Sequence, residues 1–321
     1  MANARDEILD WSEQGRIAPG KLRAALEAGG ALPGADQWRG FLDRVLLYMG
    51  AVLLGAGVIF FFAFNWQELG RYAKFALVQA PIVAALAFVW MLGLERAAGR
   101  AALLAAALVV GALLALVGQT YQTGADTWEL FAAWSAAILP WALLARFPAL
   151  WIFWLLIANV ALTLYFTTFG FWGALFAPEK LLWLLFGLNT AALATWEGLA
   201  AAGIAWLRER WSVRILAFAS GGMATALAVF HIVDWGRGIT WGAPAWLAWM
   251  AAAYGAYRHW TKDLFVLAGG VLSLTVVTAT FLGKHLKFDD AGALLFIGLV
   301  VIGISAAGGW WLRQVANEEG S

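Results

Sequence analysis

The sequence predicts an all-α, polytopic helical membrane protein with about ten transmembrane helices and a short cytoplasmic helical segment at its N-terminus. Three observations carry that expectation. The 321 residues are 63% hydrophobic and only 13% charged, whereas soluble domains run near 45–50% apolar and about 25% charged. Mean hydropathy is +0.76. The apolar residues also form continuous runs rather than alternating, as in helices that satisfy their own backbone in lipid and unlike barrel strands.

The division expected is a helical hairpin over residues 1–40 and a membrane domain over 41–321. Within residues 6–14, Ile8 and Trp11 share one side of a short helix that opens with acids. Gly15 supplies a left-handed stop, and Pro19 suits the first turn of a second helix. Leu22 and Leu26 give that helix an i, i+4 apolar stripe, and Ala28-Gly29-Gly30 ends it. Two such helices bury too little to stand alone, so they are expected to pack on each other and on a membrane-proximal or partner surface. The segment is polar and mixed in charge where a signal peptide would be apolar, so it is expected to be retained.

Ten apolar runs follow, at 45–64, 72–94, 101–116, 130–145, 150–166, 181–207, 213–233, 243–257, 264–282 and 291–312. Crossing about 30 Å of hydrocarbon takes about 20 residues. The third, fourth, fifth and eighth runs are short, which suits tilted or re-entrant elements. With the N-terminus in the cytoplasm, Arg39, Arg44, Arg96, Arg100, Arg146, Arg208, Arg210, Arg214, Arg258, Lys262 and Arg313 lie inside. Arg71, Lys74, Lys180, Arg237, Lys284 and Lys287 then lie outside. That bias places both termini in the cytoplasm. Many of the 21 Trp, among them Trp128, Trp211, Trp260 and Trp310, fall near run ends and read as an interfacial aromatic belt.

Several function classes drop out. With no Cys, thiol catalysis, disulfides and thiolate metal sites are excluded. A net charge of +1 argues against nucleic acid as a partner. Phosphate-loop, His-Glu-x-x-His and Gly-x-Ser-x-Gly motifs are missing. The three His residues, His231, His259 and His285, are scattered. No catalytic residue, metal site or cofactor is therefore assigned. A lipid-modifying enzyme using Glu68, Asp126, Glu129 or Asp234 ranks last, because no partner picks out a general base.

What remains is polar residues at membrane depth, which are costly there. Glu197 lies about 15 Å from the run end at Leu207. It reads either as a snorkelling carboxylate that meets an Arg such as Arg208, or as an ion-coupling group in a translocation path. Asn189 and His231 come out at one height, about 27 Å from the same end, so they can meet, whereas Glu197 lies about 12 Å from His231 in depth. Asn65 and Gln119 fall in the outer half. These polar groups are either interhelical hydrogen bonds worth about 0.6–2 kcal/mol each or the lining of a cavity open to the outside. The loops at 64–70 and 118–131 mix amides, acids and aromatic rings, a chemistry suited to a polar organic group, a sugar or a lipid head. The candidate ligand set is Asn65, Trp66, Gln119, Tyr121, Asn189 and His231, with Glu197 for ion coupling. Asp126 reads as a helix cap.

The Asn65-Trp66 pair, the Gly118-Gln119-x-Tyr121 stretch followed by Asp126-x-Trp128-x-Leu130-Phe131, and the helical N-terminal segment resemble a bacterial family of predicted membrane proteins. It is known as domain of unknown function 2157, and the resemblance runs over the first half of the chain, to about Phe166. It implies a multi-span inner-membrane protein and brings no activity with it. In outline the chain is also similar to ten-span drug/metabolite transporters, built from two inverted five-span repeats. That likeness rests on span count alone, since no sequence echo links 45–166 to 181–312. The expected function is transport or binding of a small polar or amphiphilic, lipid-like molecule. The alternative is a non-catalytic membrane subunit, scaffold or sensor that docks a partner through Ile8, Trp11, Leu22 and Leu26. Either allows the lipid bilayer and a membrane-protein partner or second copy as neighbours.

Overall fold

The computed structural model describes residues 4–32, 34–64, 70–169, 178–233, 241–286 and 291–318, and all regular elements among them are helices. The chain forms two compact units, Pro33–Phe176 and Met1–Leu32 with Ala177–Ser321.

Helix α1 spans Ala4–Glu13, and α2 spans Leu22–Ala28 after a 3-10 turn at Pro19–Lys21. Gly15 and Gly30 each adopt φ +70°, the left-handed conformation that ends a helix cheaply only at glycine. The Arg16 N–H then bonds the Trp11 carbonyl at 2.9 Å, and the Ala31 N–H bonds that of Leu26 at 2.8 Å. Ile8 is buried against Gly29, where a Cβ would strike its side chain. Trp11 stays 43% exposed, so only one of the two apolar residues on that side of α1 is used in packing.

The Pro33–Phe176 unit holds α3 (Ala35–Phe64), α4 (Arg71–Leu92), α5 (Ala97–Tyr121), α6 (Thr127–Ala145) and α7 (Pro148–Phe169). Since α3 starts at Ala35, the last residues of the wettable 1–40 segment already belong to the first long helix. Helix α5 is the hub, packed on α3, α4 and α6, while α6 packs on α7. Its run of Ala and Gly lets neighbouring backbones approach, and Ala106 and Ala107 are fully enclosed. Gly111 seats Trp134 of α6, whose ring would lie 2.5 Å from a Cβ there. The Trp134 Nε1–H donates to the Ala107 carbonyl at 2.8 Å. Asp126 and Glu129 form a capping box at the start of α6, with the Asp126 N–H bonding Glu129 Oε2 at 3.1 Å.

The second unit holds α8 (Pro178–Ala201), α9 (Arg210–Val233), α10 (Gly242–Gly255), α11 (Leu264–His285) and α12 (Ala291–Asn317). Here α9 is the hub, packed on α8, α10 and α11, and α11 packs on α12. Gly221 seats Trp249 of α10, as Gly111 seats Trp134. The Trp249 Nε1–H donates to Ser220 Oγ at 2.8 Å, and that hydroxyl pairs with Thr190 of α8 at 2.7 Å. One turn away, the Trp246 Nε1–H donates to Ser273 Oγ of α11 at 2.8 Å, and Ser273 pairs with Thr225 at 2.6 Å. The Thr225 hydroxyl also lies 2.7 Å from the Gly221 carbonyl. Four helices are thus joined at depth by hydroxyls and indole N–H groups, the polar glue available where helices have no hydrophobic drive to associate.

Eight helices, α3 to α7, α9, α11 and α12, are long and apolar enough to cross a membrane. The short third, fourth and fifth runs extend into helices of 25, 19 and 22 residues. The eighth run forms α10, of 14 residues and about 21 Å of rise, which a five-residue π turn at Ala256–Trp260 continues directly. Helix α8 has 24 residues but carries Glu179, Lys180 and Glu197. The hub is the third of the five helices α3 to α7 in one unit and the second of the five helices α8 to α12 in the other, so the two units do not repeat one packing pattern.

Candidate functional site

Helix α8 stops at Ala201 because Gly203 turns left-handed, at φ +101°. A 3-10 turn at Ala205–Leu207 follows, and the Trp196 Nε1–H holds it by donating to the Leu207 carbonyl at 3.0 Å. The helix therefore ends six residues before the expected run end. Glu197 lies about 6 Å from that end rather than 15 Å. Its partner is Arg210 rather than Arg208, with Nη1 donating to Oε1 at 3.0 Å.

Arg210 continues the chain of charges. Its Nε donates to Asp263 Oδ2 at 3.2 Å, and the Arg214 Nε lies 3.2 Å from both Asp263 oxygens. Asp263 also N-caps α11, accepting from the Phe265 N–H at 3.1 Å and the Val266 N–H at 3.4 Å. Its carboxylate is 2% exposed, against 32% for the Arg210 side chain and 45% for Arg214. Arg210 lies over the ring of Tyr257 and Arg214 over that of Phe265, at 5.6 and 5.8 Å from the centroids. Tyr257 is buried in the π turn Ala256–Trp260, outside the eight spans. Burial first, then the charge of Glu197 and a hydrogen bond to it, raise this phenol well above the ordinary tyrosine range.

Two carboxylates and two guanidinium groups balance in number but not in placement. The most buried charge is the Asp263 carboxylate and the most exposed is Arg214, while exposed Glu209 beside Arg210 accepts from the Trp211 indole. Exposed Arg208, Lys262 and Arg313 share this end of the unit, and Arg258 pairs there with Glu318.

A groove of about 460 Å³ starts beside this cluster and runs between α9 and α11. Phe218, Gly222, Phe265, Gly269, Leu272 and Val276 line it, and Thr225 and Ser273 lie on its wall. Those two hydroxyls are already bonded to each other, so the lining presents an apolar surface. Two further grooves measure about 400 Å³, beside Met250, Gly270 and Trp311, and about 390 Å³, beside Trp128, Trp154 and Tyr165. Charged side chains line none of the three.

Of the residues singled out by sequence, Asn65 and Trp66 lie outside the described residues, as do Glu68 and Asp234. Gln119 and Tyr121 are exposed on the last turn of α5, with Tyr121 against the Phe75 ring. Asn189 is buried in α8 and its Nδ2 donates to the Leu185 carbonyl at 2.8 Å. The Glu197–Arg210 and Thr190–Ser220 pairs set the antiparallel register of α8 on α9. His231 is then about 15 Å beyond the level of Asn189. Their expected shared height depended on a span end at Leu207. Gln119 and Tyr121 belong to one unit, and Asn189, Glu197 and His231 to the other. Among the described residues no group of three His, Asp or Glu side chains is placed to hold a metal ion.

Sequence reasoning missed Asp263, which stands about 50 residues from both of its arginines. One signal was present: an Asp directly before an apolar run is an N-cap pattern.

Neither the curated proteins nor the solved structures provide a match to the chain. Residues 9–151, from α1 into the first turn of α7, match the family described as predicted membrane protein (DUF2157), the family that the motifs of this first half resemble.

Proposed function

We propose that this membrane protein holds a lipid-like amphiphile in a lateral groove, as a binding or transport protein of a bacterial inner membrane with its Arg-rich end in the cytoplasm. The groove between α9 and α11 is the observation that supports the reading. From Phe265 to Val276 it spans eleven residues of α11, about 16 Å, close to half of a hydrocarbon core about 30 Å thick. Its wall hydroxyls are taken up by each other and by Trp246, which leaves nothing at depth for a small polar ligand. An apolar chain fits, and this favours the amphiphile within the expected ligand class.

Filling the groove tests the reading. A Cβ at Gly222 or Gly269 meets nothing within 4 Å, so Gly222→Leu and Gly269→Leu occupy the groove without driving helices apart. The lipid co-purifying with the protein, counted by native mass spectrometry, is expected to fall in both variants while the unfolding midpoint in lipid-free detergent holds. Unchanged lipid retention in both contradicts the reading.

A second reading has its own observation. Trp11 and Leu32 are exposed beside the α1–α2 pair, an apolar surface that suits a docking partner. Deleting residues 1–34 discriminates: lost complex assembly with lipid retention intact favours a scaffold.

A further inference from the structure

We infer that the groove between α9 and α11 selects a membrane lipid with an anionic, phosphate-bearing head, which sits at Arg214 while an acyl chain runs along the groove. This rests on the groove reading and adds the chemistry of the head. Arg214 and the groove are joined in two ways. Ala217 and Phe218, one turn beyond Arg214 on α9, line the groove, and so does Phe265, whose ring lies under the Arg214 guanidinium. A chain leaving a head at Arg214 therefore passes Phe218 and Phe265 before reaching Gly222 and Gly269.

The two arginines are not equivalent. Arg210 bonds both Glu197 and Asp263, and its Nη2 is buried without a hydrogen-bond partner. Arg214 meets Asp263 through Nε and is the more exposed of the two. A guanidinium is a planar fork with five donors, and a carboxylate at Nε leaves the terminal Nη edge directed elsewhere. That edge suits the oxygens of a phosphate. Asp263 behind the fork fixes its orientation, and the exposed Lys262 next to it adds positive field. No cation stands in the lining of any of the three grooves; Arg214 adjoins this one through Ala217, Phe218 and Phe265, which places a head at its mouth.

The test uses the full-length protein and native mass spectrometry with phosphatidylglycerol and phosphatidylcholine of identical acyl chains. One basic side chain near a membrane surface is worth about 1 kcal/mol toward an anionic lipid, so about a fivefold preference for phosphatidylglycerol is expected. Arg214→Gln should abolish that preference while phosphatidylcholine still binds, and Arg214→Lys should restore part of it. Arg313→Gln, an exposed cation at the same end and outside the groove, should leave it intact. Inorganic phosphate should not displace the lipid, since the acyl chain supplies part of the binding. The proposal is overturned by a wild-type protein without preference, by a preference that survives Arg214→Gln, by equal loss in Arg313→Gln, or by displacement with phosphate alone. A preference that persists in Gly222→Leu and Gly269→Leu also overturns it, because the head contact then needs no groove. Absence of bound lipid of either kind instead removes the groove reading itself.

Discussion

Asp263 is the residue whose loss should cost the second unit most. It accepts from two guanidinium groups and two backbone N–H groups while 2% exposed. Asp263→Ala removes the N-cap of α11, worth about 1 kcal/mol, and strips a shared anion from Arg210 and Arg214. Breaking a fully buried pair by deleting one partner costs about 3–5 kcal/mol. Arg210 and Arg214 are 32% and 45% exposed, so water recovers much of that, and Arg210 retains Glu197. The remainder is about 1–2 kcal/mol for the charges, and about 2–3 kcal/mol in total for Asp263→Ala. Asp263→Asn keeps an oxygen for the cap and should lose only the charge part, about 1–2 kcal/mol. Reversible unfolding in mixed detergent, followed by the fluorescence of the chain's own Trp residues, reads both variants. If both fall within about 0.5 kcal/mol of wild type, as surface substitutions do, the cluster does not hold this end of the unit together and the reasoning fails.

Three further outcomes follow from the packing. A Cβ at Gly221 would lie 2.6 Å from the Trp249 ring, so Gly221→Ala should cost about 1–3 kcal/mol, while Gly298→Ala, with open space around it, should stay within about 0.5 kcal/mol; equal effects in the unfolding assay refute the notch. Ser220→Ala strands the Trp249 Nε1–H and should cost about 0.6–2 kcal/mol, most of it absent in a Trp249→Phe background, and additive losses in the double-mutant cycle break the claim that the two are coupled. Tyr257, with its proton held by burial and by Glu197, stays neutral through the physiological range. A raised phenol contributes stability below its unfolded value near 10 and loses it only as pH rises beyond that. The destabilisation by Tyr257→Phe should therefore be equal at pH 6 and pH 9, and a difference between the two contradicts a protonated phenol.

The membrane fold was legible because it rests on local properties. Apolar runs mark helices, and Gly15, Pro19 and Asp126 mark their ends from within a few residues. Depth was less legible, since it depends on where a helix stops. Taking the end at Leu207, when Gly203 terminates α8 at Ala201, moved Glu197 and Asn189 by six residues and produced a false match with His231. The charge cluster was hidden for a different reason. Glu197, Arg210, Tyr257 and Asp263 come from four segments and meet only because α8 and α11 both pack on α9. The tryptophans show the limit of a default reading: an aromatic belt accounts for exposed Trp260 and Trp310, while Trp134, Trp246 and Trp249 are interior hydrogen-bond donors seated by glycines and serines. That pairing of Trp with Gly or Ser across helices leaves no periodic trace in sequence.

The most direct measurement is a cryo-electron microscopy map of the full-length protein in nanodiscs containing phosphatidylglycerol. The account predicts a lipid-shaped density between α9 and α11, its chain along Phe218, Gly222 and Gly269 and its head at Arg214. A groove closed by Phe218 and Phe265, or occupied by a helix of another chain, contradicts it.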